Sequence, residues 1–123
     1  MITQPADIWR SLLRRSLLTA RKERDAVRAA ALRSVLSAID NAETPDVVVQ
    51  GRPSGPIAGA VAGLGATEVA RRELSDAQIR ELVQTEIDER LGAADQFVAG
   101  GHTDRAASLR AEAAVLTHLL GDV

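Results

Sequence analysis

Apolar residues return every three or four positions over most of the chain, the interval at which one face of a helix is covered. The rhythm is clearest over 76–99. There Ile79, Leu82, Val83, Ile87, Leu91, Ala94, Phe97 and Val98 recur, while Glu81, Glu86, Asp88 and Glu89 fall largely on the other side. Ser75 and Gln78 stand at capping-box spacing, and Asp76 adds a carboxylate where the helix dipole favours it. Gly92 lies inside the pattern and weakens that helix by about 1 kcal/mol relative to alanine. Gly100 and Gly101 stop it, since glycine tolerates the left-handed cap conformation. A further helix is predicted over 104–120, capped by Thr103, with Ala106, Leu109, Ala113, Leu116 and Leu120 as its seam. So short a connection makes the two antiparallel neighbours.

The front of the chain repeats this logic. Ile8, Trp9, Leu12, Leu13, Leu17 and Ala20 line one face of a helix over about 7–20. Asp25 is a plausible cap for the next, over 25–42. That helix carries Val27, Ala31, Val35, Ala38 and Ala42, flanked by Leu32, Leu36 and Ile39, a stripe wide enough for a central position. Nothing at 21–25 forbids one continuous helix, so that alternative stays open. The expected architecture is all-α: four amphipathic helices in two antiparallel helical hairpins, forming one domain over 1–123.

Between the hairpins the pattern breaks. Over 44–73, Pro45, Pro53 and Pro56 with Gly51, Gly55, Gly59, Gly63 and Gly65 leave no helical period. A long Gly/Pro-rich connection of small side chains reads first as a flexible insert. A short ribbon pairing Val47-Val48-Val49 with Thr67–Ala70 is the alternative.

Composition narrows the core. Hydrophobic residues make up 46% of the chain, but there is one Trp, one Phe and no Tyr. The core must therefore be built from Leu, Ile, Val and much Ala, which predicts close helix packing and little room for a ligand cavity. The absence of Cys excludes disulfides and thiolate chemistry. No apolar run approaches bilayer-spanning length, so no membrane partner is expected and the cytoplasm is the expected location. The Arg-rich N-terminus has some likeness to a transit peptide, but its apolar face matches the other helices and reads as part of the fold.

Charge is spread unevenly. Residues 1–33 hold eight Arg or Lys against three acids, residues 34–67 one against three, and residues 68–123 six against eleven. Such a dipole can steer an anionic partner towards the first helix pair. The competing expectation is that the basic front folds against the acidic back in solvated ion pairs. Arg10, Arg14, Arg21, Lys22, Arg24 and Arg28 form the candidate contact set, several of them able to line up on one solvent face as phosphate contacts require. Only Trp9 accompanies them, and it sits on the apolar face, so stacking on bases is not expected.

Covalent chemistry finds little footing, and no catalytic residue, cofactor or metal is expected. His102 and His118 lie in the hairpin turn and near the C-terminus, without the further ligands a zinc site needs. His118 more readily serves the C-terminal dipole of its helix. Glu86, Asp88, Glu89 and Asp95 read as acids on a solvated face beside Arg90, which supplies neither condition for a catalytic carboxylate pair. Gly59–Gly65 resembles a phosphate loop but lacks the Lys-Ser/Thr ending. Ser11, Ser16 and Ser34 have no local His–Asp partners.

With ALRSVLSAIDNAE (Ala31–Glu43) after Arg24-Asp25-Ala26-Val27-Arg28, the chain resembles the GatB/YqeY family. Leu32, Arg33, Ala38, Asn41, Ala42 and Glu43 match that family's second-helix motif. Arg90, Phe97, Gly101, Asp104, Glu112, Leu116 and Leu120 match its third and fourth helices. The resemblance covers both helical blocks and not the glycine-rich insert. It implies an all-α fold related to the tail of the B subunit of tRNA-dependent amidotransferases. It also implies tRNA or a protein of the translation machinery as partner. Chains of this kind are described as amidotransferase-like, with carbon–nitrogen ligase activity using glutamine, yet the chemistry of that enzyme lies outside its tail. His102 stands where Arg is usual, Leu119 where Tyr is usual, and Gly121 where Pro opens a second helical subdomain, which is expected to be absent. A non-catalytic helical binding module is the leading expectation. An amidotransferase-like enzyme and a self-associating structural protein, a homo-oligomer paired through Ala-rich seams, are the alternatives.

Overall fold

A computed structural model describes residues 3–44 and 71–122, and they form four helices. These are α1 (Pro5–Lys22), α2 (Ala26–Glu43), α3 (Asp76–Ala99) and α4 (Thr103–Asp122). The all-α expectation holds, and α1 and α2 are separate helices. The expectations placed on 45–70, including the Val47–Val49 ribbon and the Gly59–Gly65 loop, lie outside the described residues.

The two hairpins are closed by the same device. Residues 23–25 join α1 to α2, and residues 100–102 join α3 to α4. In the first, the Asp25 N–H donates to the Ala20 carbonyl at 2.8 Å and the Arg24 N–H to Arg21 at 3.1 Å. In the second, His102 donates to Phe97 at 2.7 Å and Gly101 to Val98 at 3.0 Å. This paired 6→1 and 5→2 closure is the Schellman motif, whose penultimate residue must be left-handed. Gly101 fills that position at φ 84° without steric difficulty; Arg24 fills it at φ 59°. A side chain in that region costs roughly 1–2 kcal/mol. Asp25 then caps α2, its carboxylate accepting from the Arg28 N–H at 3.0 Å.

Helix starts follow the sequence with two corrections. Ser75 and Gln78 form the expected capping box on α3, with reciprocal bonds of 3.1 and 2.8 Å. α1 starts earlier than expected, because Pro5 at the first turn lacks only an N–H that would be unpaired there anyway. Thr103 is the first residue of α4 and not its cap. The His102 carbonyl opens that helix by accepting from Ala106 at 3.1 Å.

Helix α2 is central, packing against all three other helices, while α3 and α4 share the most extensive contact. The core is aliphatic around one tryptophan: Trp9, Leu13, Leu32, Val35, Ile39, Ile79, Val83 and Leu116 are essentially inaccessible. Ala20, Ala31, Ala94 and Ala106 are as deeply buried, and they let the helices approach closely. The sequence overstated the apolar face in places. Ile8 is 54% exposed, Leu91 43% and Val98 42%, although each keeps the helical period.

One carboxylate ties the two hairpins together. Glu43, at 7% exposure, is the one buried charged side chain among the described residues. It accepts from Arg10 on α1 and, at 3.3 Å, from Arg71. Its carbonyl accepts from the Arg72 N–H at 2.9 Å. The end of α2 and the approach to α3 are thereby fastened side by side. Arg10 also donates to Asp40 at 2.9 and 3.2 Å.

Glu43→Ala is expected to destabilise the fold by about 3 kcal/mol, because it leaves Arg10 half-buried without its inner partner. Asp40→Ala, at an exposed partner, should cost under about 1 kcal/mol. Equal shifts of the urea midpoint for the two variants would contradict this account. Gly92 has open space where a Cβ would stand. Gly92→Ala should therefore raise stability by about 0.5–1 kcal/mol, read as a higher melting temperature.

Candidate functional site

The antiparallel pairing of α1 with α2 sorts their charges to opposite ends. Asp7, Asp40 and Glu43 gather around Arg10 at one end, with Arg10–Asp7 at 3.6 Å. Towards the 23–25 turn, residues 14–33 contain seven Arg or Lys and only two acids, Glu23 and Asp25. The basic tip is therefore a consequence of where the acids are engaged.

The six candidate residues divide accordingly. Arg10 does not face solvent: its side chain is 12% exposed and serves the Glu43 cluster. Helical spacing puts Arg10 near the face of Arg14 and Arg21, but its acidic partners lie on α2, which spacing along α1 does not reveal. Arg28 is half-buried and lies 3.6 Å from Glu23. Arg14, Arg21, Lys22 and Arg24 are exposed and form no ion pair among the described residues. Arg15 and Arg33 share that condition and were missing from the candidate set. The signal for Arg33 was available, since Ala26, Ala29 and Arg33 recur at helical spacing on α2.

Arg21, Arg24 and Arg33 line one open groove of about 350 Å³ together with Ala20, Ala26 and Ala29. Asp25 also lines it, with its carboxylate engaged by the cap of α2. A second cleft, of about 320 Å³, lies between α1, α2 and α4, where Ser16, Arg28, His118 and Asp122 meet Leu32 and Leu119. Both are open surface features, so the expectation of a core without a ligand cavity is compatible with them.

Charge at the tip is not neutralised by the acidic half. None of the basic residues of 3–33 pairs with an acid of 71–122 among the described residues. The expected cancellation of front against back is thus not made through contact pairs. Some acids of α3 and α4 have partners within the second hairpin: Gln84 donates to Asp88 at 3.0 Å, and Arg110 to Asp95 at 3.3 Å. Glu86 departs from the solvated-face reading. It accepts from Ser34 on α2 and from Arg90 at 3.1 Å, while Arg90 also donates to Glu112 on α4 at 3.0 Å. This cluster braces three helices.

The ionisation of Asp76 is clearly shifted. Arg80 Nε donates to one carboxylate oxygen at 2.7 Å, and the buried Trp9 Nε1 donates to the other at 2.8 Å. The Arg80 hydrogen bond, then that of Trp9, hold Asp76 below its ordinary value of 3.8. The Arg80 guanidinium lies 5.6 Å from the Trp9 ring centre and reaches the Leu120 carbonyl at 3.3 Å. Asp76 therefore joins α1 to α3, and through Arg80 to α4.

Among the described residues no group of three or more His, Asp or Glu could hold a metal ion. No described helix is long and apolar enough to cross a membrane. No family model matches the chain, and neither do curated proteins or solved structures.

Because the folded state lowers the Asp76 pKa, its contribution is complete above the ordinary value of 3.8. It is lost as pH falls below that value towards the folded-state pKa. Asp76→Asn should flatten that acid limb of the stability profile while leaving its shape near neutrality unchanged. An unaltered acid limb in the variant would refute the linkage.

Proposed function

We propose that this chain is a GatB/YqeY-like helical module that acts by contact, binding the phosphate backbone of RNA, with tRNA as the representative ligand, through the basic end of its first hairpin. The observation that carries this reading is the uncompensated tip. Arg14, Arg15, Arg21, Lys22, Arg24 and Arg33 are exposed on this half of the hairpin without an ion pair among the described residues, and no acid of the second hairpin reaches them. Cations held on rigid helices and free of internal partners can release counterions from a nucleic-acid backbone. Without aromatic residues among them, such contacts favour backbone over base recognition.

The residues behind the family resemblance support a module over an enzyme. Leu32 and Leu116 belong to the core, Glu43 fastens the hairpins, Arg90 bridges to Glu112, and Gly101 closes a turn. These positions specify a fold. Arg33 is the exposed basic member of the second-helix match, and it lies at the tip.

A titration of tRNA against the chain at several salt concentrations tests the reading. Four exposed cations engaged at once should give a log–log salt slope of roughly −3, and an Arg14→Gln/Arg21→Gln double variant should lose about half of it. Absence of a complex at low ionic strength would remove RNA as the partner and favour an acidic protein surface instead.

A further inference from the structure

We propose that the groove at the α1–α2 turn is a phosphate site, in which Arg21, Arg24 and Arg33 grip a single phosphodiester group of the bound strand. This rests on the RNA reading above and adds to it a defined anchor point in place of a diffuse positive surface.

Three features of the groove converge. It is lined by Arg21 of α1, Arg24 of the turn and Arg33 of α2, none with an ion pair among the described residues. Guanidinium forks suit phosphate oxygens, and long arginine side chains lining one groove can close on an anion that they share. Its floor is Ala20, Ala26 and Ala29, so no long side chain fills the space between the forks. Three of the carbonyls at the end of α1 that would repel an anion are already occupied. Those of Thr19, Ala20 and Arg21 accept from the N–H groups of Glu23, Asp25 and Arg24.

Arg24 adds the independent observation. The same Schellman closure occurs twice in this molecule, once with glycine in the left-handed position and once with arginine. The turn itself requires no side chain at that residue, as Gly101 demonstrates. Arg24 nevertheless occupies a strained conformation, and its guanidinium has no ion pair within the described fold to compensate. Strain held without an internal return is a feature of sites that engage something outside the fold. Asp25 is the one acid lining the groove, and its carboxylate is directed to the Arg28 N–H.

The test compares Arg24→Gly, Arg24→Ala and Arg24→Lys with the parent chain, using a labelled oligouridylate strand and, separately, inorganic phosphate. Arg24→Gly and Arg24→Ala should both weaken oligouridylate binding roughly fivefold to tenfold. Their stabilities should diverge, because glycine relieves the left-handed strain and alanine retains it. Arg24→Lys should restore part of the affinity. Inorganic phosphate should shift the Nε–H resonances of Arg21, Arg24 and Arg33 ahead of those of Arg14 and Arg15. An Arg24→Gly chain that binds oligouridylate like the parent, or phosphate shifts spread evenly over the surface arginines, would overturn the assignment. If the parent chain ignores oligouridylate and tRNA, the RNA reading falls, while the phosphate titration still decides the groove.

Discussion

The carboxylate of Glu43 is the contact around which the rest is arranged. A charge taken out of water needs partners, and Glu43 recruits one from each side of the 45–70 connection, Arg10 from α1 and Arg71 from the approach to α3. That choice fixes the end of α2 against α1 and brings the second hairpin to the same point. It also determines the electrostatics of the surface. Arg10 is drawn inward and engages Asp7 and Asp40 at its exposed side, so the remaining acids of the first hairpin are few and its free cations lie towards the opposite end. The stability and the charge polarity of this small bundle thus share one origin.

Two other polar clusters do comparable work between other helices. Ser34, Glu86, Arg90 and Glu112 join α2, α3 and α4, while Trp9, Asp76 and Arg80 join α1, α3 and the end of α4. An aliphatic core rich in alanine offers little shape specificity, because small side chains can slide past one another. Hydrogen-bonded side chains with fixed partners supply what the alanines do not: a single register for each helix pair. The single tryptophan combines both roles, with its ring in the core and its Nε1 on Asp76.

Much of this was legible along the chain wherever the determining interactions are local. Ser75 with Gln78, Asp25 as a cap, and glycine at 101 announce helix ends because their partners lie within a few residues. The buried stripe of Trp9, Leu13 and Leu17 follows from periodicity alone. Misreadings occurred where the partner is distant. Leu91 and Val98 keep perfect period, yet they are exposed, because period alone does not say how much of a face its neighbours cover. Arg10 cannot be distinguished from Arg14 by spacing, since its fate depends on acids thirty and more residues away. Glu86 looks solvated until Ser34 is brought against it. Arg33 joins the tip because α2 runs antiparallel to α1, which the cluster at 21–28 does not reveal by itself.

The contrast between the two turns shows how a surface can be read separately from the fold that carries it. Both hairpins solve the same backbone problem, and the chemistry of closure is the same in each. At Gly101 the residue type is accounted for by the backbone conformation alone. At Arg24 the backbone conformation argues against the residue present, so whatever accounts for the arginine must lie in its side chain. With no described ion pair to employ it, that guanidinium belongs with Arg21 and Arg33 as a surface directed outward, over a floor of alanines too small to interfere. The residues that build the bundle and the residues available to a ligand are consequently different sets, meeting only at the 23–25 turn. A change in either set should therefore be measurable without the other, which is the property expected of a scaffold that holds a charged edge in place.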